Sequence, residues 1–308
     1  PSIWRRLYVS TLQKQSSKWY NMILAVLLCN KVKTLVEEFN PHVVICTHPF
    51  ANCISSLLKT KGYTFKLCSQ ITEFHLHGCW ITPETDFYFV SCNSMLDDFV
   101  SFGTPSTQIK VTGLPTRPGF WSSNQKDKAR LSLKLQNIPT ILIMGGGLGL
   151  GGINDVVSQL INLKEKIQII ICAGNNYSLQ QFLRNNKEYI HPNIYVLGYE
   201  QNIDHWMDAA DILITKPGGS TCFEALLKGL PMIIYDPISG HEEKNCEFLI
   251  EQNLAIHVED RYKMREILEE LLFDTNKREE VIKNVKQFRK NVDPLAGAKT
   301  VVGLLQTM

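Results

Sequence analysis

The sequence predicts an α/β protein with two doubly wound domains, each built on a parallel sheet. Short apolar runs alternate with helical stretches along the chain, and most of these runs are continuously apolar. Continuous hydrophobicity indicates strands buried on both faces, and intervening helices make neighbouring strands parallel. Because 308 residues exceed what one hydrophobic core usually supports, we expect two domains.

The predicted strands form two series. The first series has runs at 42–48, 65–72, 86–92 and 109–115, and the second has runs at 140–147, 166–174, 193–199, 211–216, 231–236 and 254–258. Between them, Arg117–Ser132 carries Pro, Gly, Ser and charges without an apolar period, which is typical of a linker. We therefore expect an N-terminal domain over 1–118, a C-terminal domain over 119–290 and a last helical segment over 291–308.

The composition describes a globular chain and favours no nucleic-acid partner. Hydrophobic residues make up 44% and charged residues 20%, while the formal net charge is only +2. The nine cysteines include no C-x-x-C pair, and several lie in apolar strands. This usage is typical of reduced thiols in a reducing compartment, so we expect a cytoplasmic protein.

The start of the sequence has an uneven charge distribution. Residues 1–36 contain six basic side chains and no acidic one, interleaved with Trp and Tyr. This mixture suits the anionic surface of a membrane, and the apolar run MILAVLLC is too short to span one. A helix packed on its own domain with a solvated basic face would look the same. Peripheral binding to the inner face of a membrane is thus one of two open interpretations. Because the sequence starts at Pro1, we also expect a truncated N-terminus.

A glycine-rich loop, MGGGLGLGGIND, follows the first strand of the second series. Gly147, Gly149 and Gly152 have the G-x-G-x-x-G spacing of a dinucleotide site, which is a weak signal alone. Such a site needs an acidic residue at the end of the next strand, and that strand ends ICAGNN. We therefore expect the loop, with Gly146 and Gly147, to let an anionic group approach backbone amides at a helix N-terminus.

A second glycine turn occurs in ITKPGGSTCFEALLKG. Gly218 and Gly219 expose the backbone, and Ser220 or Thr221 can cap the following helix and donate to an anion. Glu224 lies about one turn further on. It is either a first-turn acid favoured by the helix dipole or an acceptor for both hydroxyls of a ribose diol. The spacing leaves both interpretations of Glu224 open.

Two further polar clusters follow predicted strands. His241, Glu242, Glu243 and Asn245 crowd a helix start in DPISGHEEKN, where they fit either sugar hydroxyls or a capped helix with a solvated face. In the first series, SQITEFHLHGCW places three candidate general bases at a strand end, beside Trp80 as an apolar wall. These candidates are Glu73, His75 and His77.

Other ligand chemistries lack support in the sequence. No Gly-Lys-Ser/Thr follows the glycines, which excludes a Walker P-loop. Neither a His or Cys cluster with metal spacing nor an Asp-x-Asp pair is found. We therefore expect a reaction that uses no metal ion and no cofactor.

Taken together, MGGGLGLGGI, WMDAADILITKPGGSTCFEALLKGLPMII and PISGHEEKN resemble the donor half of the GT-B glycosyltransferases that act on diacylglycerol. These are the monogalactosyldiacylglycerol synthases and the bacterial processive diacylglycerol glucosyltransferases. The first half agrees in order through VVICTHPF, ITEFHLHGCW and IKVTGLPTRPGF. The transferase that adds N-acetylglucosamine to lipid I is a more distant relative.

The resemblance implies a GT-B fold, in which two Rossmann-like domains face a cleft and the last helix returns to the N-terminal domain. It implies inverting, metal-independent transfer of glucose or galactose from a UDP-sugar to diacylglycerol. The C-terminal domain would bind the donor through Gly218, Gly219, Ser220 and Thr221 at the diphosphate, Glu224 at the ribose, Tyr199 near the uracil, and Glu242, Glu243 and Asn245 at the sugar.

The sequence departs from the family pattern at three places. No Gly-Gly-Gly-His loop precedes Val43, Leu148 stands where plant-type galactosyl enzymes have Glu, and Glu73 replaces an Asp. Two alternatives therefore stay beside the main prediction. One is a UDP-GlcNAc transferase acting on a polyprenyl-linked sugar, and the other is a UDP-sugar-binding subunit without turnover.

Overall fold

The computed structural model describes residues 30–122, 125–149 and 152–306. All ten predicted strands occur within them, each shorter than or equal to its apolar run. They form a four-stranded and a six-stranded sheet, and every strand pair is parallel. The predicted α/β class with two parallel sheets is confirmed.

The described residues divide into two compact units. The first unit holds those up to Pro115 and those from Val292 onward. With labels in chain order, its strands are β1 (Val43–Cys46), β2 (Lys66–Gln70), β3 (Phe87–Val90) and β4 (Ile109–Val111). Its helices are α1 (residues 30–39), α2 (Pro49–Thr60), α3 (Met95–Ser101) and the last helix of the chain, α12 (Ala296–Gln306). The sheet order is β1-β2-β3-β4, so these strands follow the order of the chain.

The second unit covers Thr116–Asn291. Its strands are β5 (Thr140–Met144), β6 (Gln168–Cys172), β7 (Ile194–Leu197), β8 (Ile212–Thr215), β9 (Met232–Tyr235) and β10 (Ala255–Val258). Its α-helices are α4 (Lys126–Ser132), α5 (Ile153–Leu160), α6 (Tyr177–Asn185), α7 (Ile203–Ala209), α8 (Gly219–Lys228), α9 (His241–Glu251), α10 (Met264–Phe273) and α11 (Thr275–Lys290).

The six-stranded sheet has the order β10-β9-β8-β5-β6-β7. The chain moves outward from β5 to β7 and then returns to the other side of β5 with β8. The strand order therefore reverses between β5 and β8, as in a doubly wound sheet. All residues of β5, β6, β8 and β9 are buried, which agrees with their continuous hydrophobicity. A reversal of this kind opens a crevice at the carboxyl ends of the strands, where open α/β sheets bind ligands.

The prediction that Arg117–Ser132 is a linker is wrong for the second half of this segment, because Lys126–Ser132 forms α4. This helix is held by charge rather than by an apolar stripe. Arg130 is buried, and its Nη2 lies 2.7 Å from Oδ2 of Asp211, while Lys126 Nζ lies 2.6 Å from Oδ1 of the same carboxylate. A buried ion-pair network leaves no apolar period in the sequence, so the pattern could not reveal this helix.

Most of the predicted membrane-facing segment lies outside the described residues, which begin at position 30. Of its six basic residues, only Lys31 and Lys33 are described, and both are exposed on α1. Among the described helices, none combines the length and the apolar character needed to cross a membrane.

Candidate functional site

Three loops leave the six-stranded sheet side by side at its carboxyl edge. Met144 at the end of β5 pairs with Thr215 at the end of β8, and Thr215 pairs with Ile234 of β9. The glycine-rich loop, the Pro-Gly-Gly-Ser-Thr turn and the 236–240 loop therefore begin almost level with one another. The sequence indicated each loop separately, and the structure places all three around the point where the strand order reverses.

Some glycines at this edge are required by the fold. Gly149 has φ of 58°, and a Cβ there would lie 2.0 Å from the carbonyl oxygen of Ala173. Gly174 has φ of 56°, and its Cβ would lie 2.6 Å from the carbonyl oxygen of Gly147. The backbones after β5 and β6 touch at these two positions, so only glycine fits there.

Two other glycines have no such requirement. Gly218 has φ of −69°, which any residue can adopt, and Gly147 also lies outside the left-handed region. A Cβ at either position would meet no atom of the described residues within 4 Å. Gly146 likewise faces open space, although its φ of 70° favours glycine. Bare backbone facing open space at the start of α8 is the geometry that lets an anion reach backbone amides.

The predicted capping of α8 by Ser220 or Thr221 is wrong. The helix begins at Gly219, and its N-cap is Gly218, which has no side chain that could accept a capping hydrogen bond. Ser220, which is exposed, and Thr221, which is half-buried, both lie inside the first turn instead. The amides at this helix end therefore receive no acceptor from a capping side chain, which leaves them suited to an external one.

Glu224 lies in the second turn of α8, so its interpretation as a first-turn acid is wrong. Its side chain is half-buried, and among the described residues its carboxylate makes no hydrogen bond. Burial raises the pKa of Glu224 to about 7; nearby Arg117 opposes this rise and Asp204 adds to it. The carboxylate is thus kept half-buried without a hydrogen bond from the described residues, which fits an acceptor for an incoming diol.

The glutamates at the start of α9 shape their own loop. Glu242 accepts the backbone N–H of Ile238 at 2.7 Å, and Glu243 accepts that of Gly240 at 3.1 Å. The expected capped helix start is therefore confirmed, but the solvated face is wrong for Glu242 and Asn245, which are buried. His241 is half-buried at the first position of α9. Sugar contacts by these three residues stay a prediction.

Asn245 positions the glycine turn. Its side chain is fully buried, and Nδ2 donates to the carbonyl oxygen of Pro217 at 3.0 Å. This bond connects α9 to the residue just before Gly218. Tyr199 lies beyond the edge strand β7 and is 64% exposed, and its contact with a base also stays a prediction.

Sequence reasoning missed two residues at this edge. Lys216 directly follows β8; its side chain is only 11% exposed, and its Nζ lies 3.8 Å from Oδ2 of Asp236. Tyr235 ends β9 and is 2% exposed, and in the described part of the chain its hydroxyl has no hydrogen-bond partner. The signal for Lys216 was its place between a strand end and two glycines. Tyr235 gave none, because it reads as part of an apolar strand.

The candidate bases of the first unit follow β2. His77 is buried, and its Nδ1 accepts the N–H of Cys79 at 3.1 Å, which caps the short 3-10 helix Gly78–Trp80. Glu73 and His75 are half-buried, and the Glu73 carbonyl accepts a hydrogen bond from Ser91 Oγ at 2.9 Å. His77 thus has a structural role, while the catalytic role of all three stays a prediction.

The loop after these bases is fixed by Asn52 of α2, which sequence reasoning also missed. The fully buried Asn52 Nδ2 donates to the Trp80 carbonyl oxygen at 2.9 Å and to Thr85 Oγ1 at 3.0 Å. Trp80 itself is 4% exposed and belongs to the apolar core beside Tyr88. It is therefore a core residue in the described structure rather than an open wall.

Comparisons with known proteins give the family. Residues 2–116 match the family described as "Monogalactosyldiacylglycerol (MGDG) synthase". Residues 140–299 match the family described as "Glycosyltransferase family 28 C-terminal domain". A processive diacylglycerol β-glucosyltransferase of Bacillus licheniformis is 31% identical over 259 residues, which cover 83% of this chain and 67% of that relative. The chain thus spans about two thirds of the length of this relative.

Solved structures agree in fold. Anabaena HepE, crystallised with UDP-glucose, has a TM-score of 0.61 at 14% identity, covering 91% of this chain and 82% of that protein. Acinetobacter baumannii MurG has a TM-score of 0.64 at 16% identity, with coverages of 92% and 78%. These likenesses confirm the predicted GT-B fold, and the sequence matches confirm the resemblance. The chain belongs to the GT-B glycosyltransferase family of the monogalactosyldiacylglycerol synthases and processive diacylglycerol glucosyltransferases, a family of hexosyltransferases.

Proposed function

We propose that the protein transfers glucose from UDP-glucose to diacylglycerol, with inversion at the anomeric carbon and without a metal ion. One observation carries the donor part of this proposal. Gly147 and Gly218 lie where the strand order reverses, face open space and have no conformational need for glycine. A diphosphate approaching the backbone explains why side chains are missing there.

The donor's other groups find matching partners nearby. Glu224 follows Gly218 along α8 and has no partner of its own among the described residues, so it can accept both hydroxyls of the ribose. Such hydrogen bonds favour the ionised carboxylate and so counteract the burial that raises its pKa to about 7. Binding of the nucleotide therefore supplies the stabilisation that this carboxylate lacks in the free protein.

The proposed reaction uses the same edge to hold the leaving group. The acceptor hydroxyl attacks the anomeric carbon on the face opposite UDP, the C–O bond to the diphosphate breaks, and UDP leaves with the electron pair. The uncapped N-terminus of α8 presents amides and partial positive charge to the departing diphosphate. Glu73 or His75 is the proposed base for the hydroxyl proton, because His77 already serves as a cap through Nδ1.

Glucose is proposed over galactose on two grounds. The Bacillus licheniformis relative is a glucosyltransferase, and HepE was crystallised with UDP-glucose. In addition, Leu148 lies on the glycine-rich loop, is 67% exposed and offers no carboxylate to a sugar hydroxyl. The family description for residues 2–116 names a galactosyl enzyme, so both donors belong in the test.

The test is a transfer assay with the purified chain and vesicles containing diacylglycerol and anionic lipid. UDP-glucose, UDP-galactose and UDP-GlcNAc are each supplied with and without EDTA. We expect glucosyldiacylglycerol from UDP-glucose, unchanged by EDTA, with the β-anomer identified by NMR. Glu224→Ala should abolish transfer. Glu280→Ala is the matched control, because Glu280 is exposed at the equivalent position of α11.

Other outcomes would replace this proposal. Transfer only from UDP-GlcNAc to a polyprenyl-linked sugar would establish the alternative acceptor. Saturable binding of a UDP-sugar without any transfer would identify a donor-binding subunit. Loss of transfer in EDTA, restored by a divalent cation, would refute the metal-independent mechanism.

A further inference from the structure

Lys216 occupies a central place in the candidate site. It is the first residue after β8, which lies between β5 and β9 in the sheet. The glycine-rich loop therefore starts on one side of Lys216, and the loop that begins at Asp236 starts on the other. Pro217 and Gly218 follow directly, so this lysine stands at the reversal of the strand order, beside the backbone that faces open space.

The surroundings of the Lys216 ammonium do not satisfy it. An ammonium group has three N–H donors, and burial without acceptors is costly. In the described residues Nζ of Lys216 makes no hydrogen bond; its one ion-pair contact, to Asp236 Oδ2, is 3.8 Å long. The side chain is nevertheless only 11% exposed. A ligand with strong acceptor oxygens would supply the hydrogen bonds that the Lys216 ammonium lacks.

Another buried lysine of the same unit shows what a structural ammonium looks like. Lys228 has a fully buried side chain, and its Nζ lies 2.6 Å from Oδ2 of Asp208 and 3.1 Å from the carbonyl oxygen of Ser122. Two hydrogen bonds, one of them to the buried carboxylate of Asp208, hold this ammonium in place. The Asp236 side chain, in contrast, is 47% exposed, and its φ is 44°. The long Lys216–Asp236 contact is therefore not built like a structural pair.

We propose that Lys216 binds the diphosphate of the nucleotide-sugar donor, and that Asp236 is its counter-ion only while the site is free. The inference rests on the proposed function, since it adds a residue to the donor site. A dianionic diphosphate supplies the acceptor oxygens that Lys216 lacks, and its charge outweighs that of one exposed carboxylate. During transfer the same ammonium would stabilise the charge that grows on UDP as the C–O bond breaks.

The two halves of this ion pair should then respond in opposite directions. Lys216→Met removes the cation, so affinity for UDP should fall about tenfold or more, while affinity for uridine stays unchanged. Asp236→Asn removes a competitor of the diphosphate, so UDP should bind with equal or higher affinity. Lys216→Arg keeps the charge and should retain most of the binding. Titration calorimetry with UDP and with uridine measures all four proteins, and thermal unfolding confirms that each is folded.

Several results would overturn the assignment. Equal losses for UDP and uridine in Lys216→Met would show a structural role, and unchanged UDP affinity would show no role in binding. Weaker UDP binding in Asp236→Asn would contradict the counter-ion role. If the wild-type protein binds neither UDP nor uridine, the proposed function itself fails. A wild-type protein that binds UDP, with Lys216→Met binding it equally well, refutes only the assignment of Lys216.

Discussion

The carboxyl edges of the two sheets use their polar residues differently. At the four-stranded sheet, Asn52 and His77 form hydrogen bonds with the loop beside them. At the six-stranded sheet, the polar residues at the start of α9 also bond to the loops beside them, but Gly218 faces open space, Glu224 has no hydrogen bond among the described residues, and Lys216 has only a long contact. Because these groups are not used by the fold itself, they support the proposal that a ligand binds at the second edge. The first edge, as described, is largely explained by its own stability.

The largest expected effect is a difference in stability between alanine variants of two glycines in the glycine-rich loop. Gly149→Ala places a Cβ 2.0 Å from a backbone oxygen at a φ of 58°, so we expect a loss of more than about 3 kcal/mol in unfolding free energy. The added Cβ of Gly147→Ala meets no atom of the described residues within 4 Å, so this variant should change stability by no more than about 0.5 kcal/mol, yet weaken UDP-glucose binding. Urea unfolding and calorimetry measure both quantities. Equal stability of the two variants would break the distinction.

At the carboxyl edge of the four-stranded sheet, we expect a substitution of Asn52 to change stability but not donor binding. Asn52→Ala leaves the Trp80 carbonyl and Thr85 hydroxyl without this buried partner, so we expect a loss of about 3 kcal/mol in unfolding free energy. The affinity of the folded fraction for UDP-glucose should not change, because the proposed donor residues lie in the second unit. Chemical denaturation followed by circular dichroism measures the first quantity. A stable variant with weakened donor binding would contradict the comparison.

Glu224 should give donor binding a pH dependence. Its pKa is raised to about 7 and the diol binds the ionised form, so UDP-glucose affinity should fall about tenfold per pH unit below that value and stay constant above it. The phosphates of UDP-glucose do not titrate in this range, so the change reports on the protein. Calorimetry across the range measures it, and Glu224→Gln should bind weakly with a flat profile.

The same pKa predicts a change in stability. A carboxyl whose pKa is higher in the folded than in the unfolded protein opposes folding as pH rises between the two values, and the full penalty remains above the folded value. Glu224→Gln should therefore raise the midpoint of thermal unfolding above about pH 7 and leave it unchanged near the unfolded pKa. A lower midpoint above that pH would show that Glu224 stabilises the free protein.

The smallest expected effect concerns Tyr235. Its hydroxyl is buried without a hydrogen bond among the described residues, and burial raises its pKa above the ordinary tyrosine value. Tyr235→Phe removes an unsatisfied group with little change in shape, so stability should increase by up to about 1 kcal/mol. Urea unfolding of the ligand-free protein is the measurement. A clear loss of stability would mean that the hydroxyl has a partner.

The strands were predictable because most of them lie in continuous apolar runs, and buried parallel strands produce that pattern directly. The order of the strands was not predictable from the sequence. The reversal between β5 and β8 depends on which side of β5 the chain places β8 after β7. The helix α4 stayed hidden because Arg130 and Asp211 bury charge instead of apolar surface.

In the candidate site, glycine turns and Glu224 were visible as spacing. The cap of α8 was misassigned because the helix starts at Gly219, before both hydroxyls. Spacing also gave Gly147 and Gly149 the same significance, whereas the structure assigns open space to the first and a backbone contact to the second. Only the folded structure distinguishes these two glycines, because they differ in whether a segment distant in sequence approaches the glycine.

The most direct test of the account is a calorimetric titration of the purified protein with UDP-glucose, beside UDP-galactose, UDP-GlcNAc and NAD. We expect one saturable site for UDP-glucose, which is lost in Glu224→Ala and kept in Glu280→Ala. A well-folded sample that binds no uridine nucleotide would contradict the claim that the carboxyl edge of the six-stranded sheet is a donor site. Tight binding of NAD would assign that edge to a dinucleotide instead.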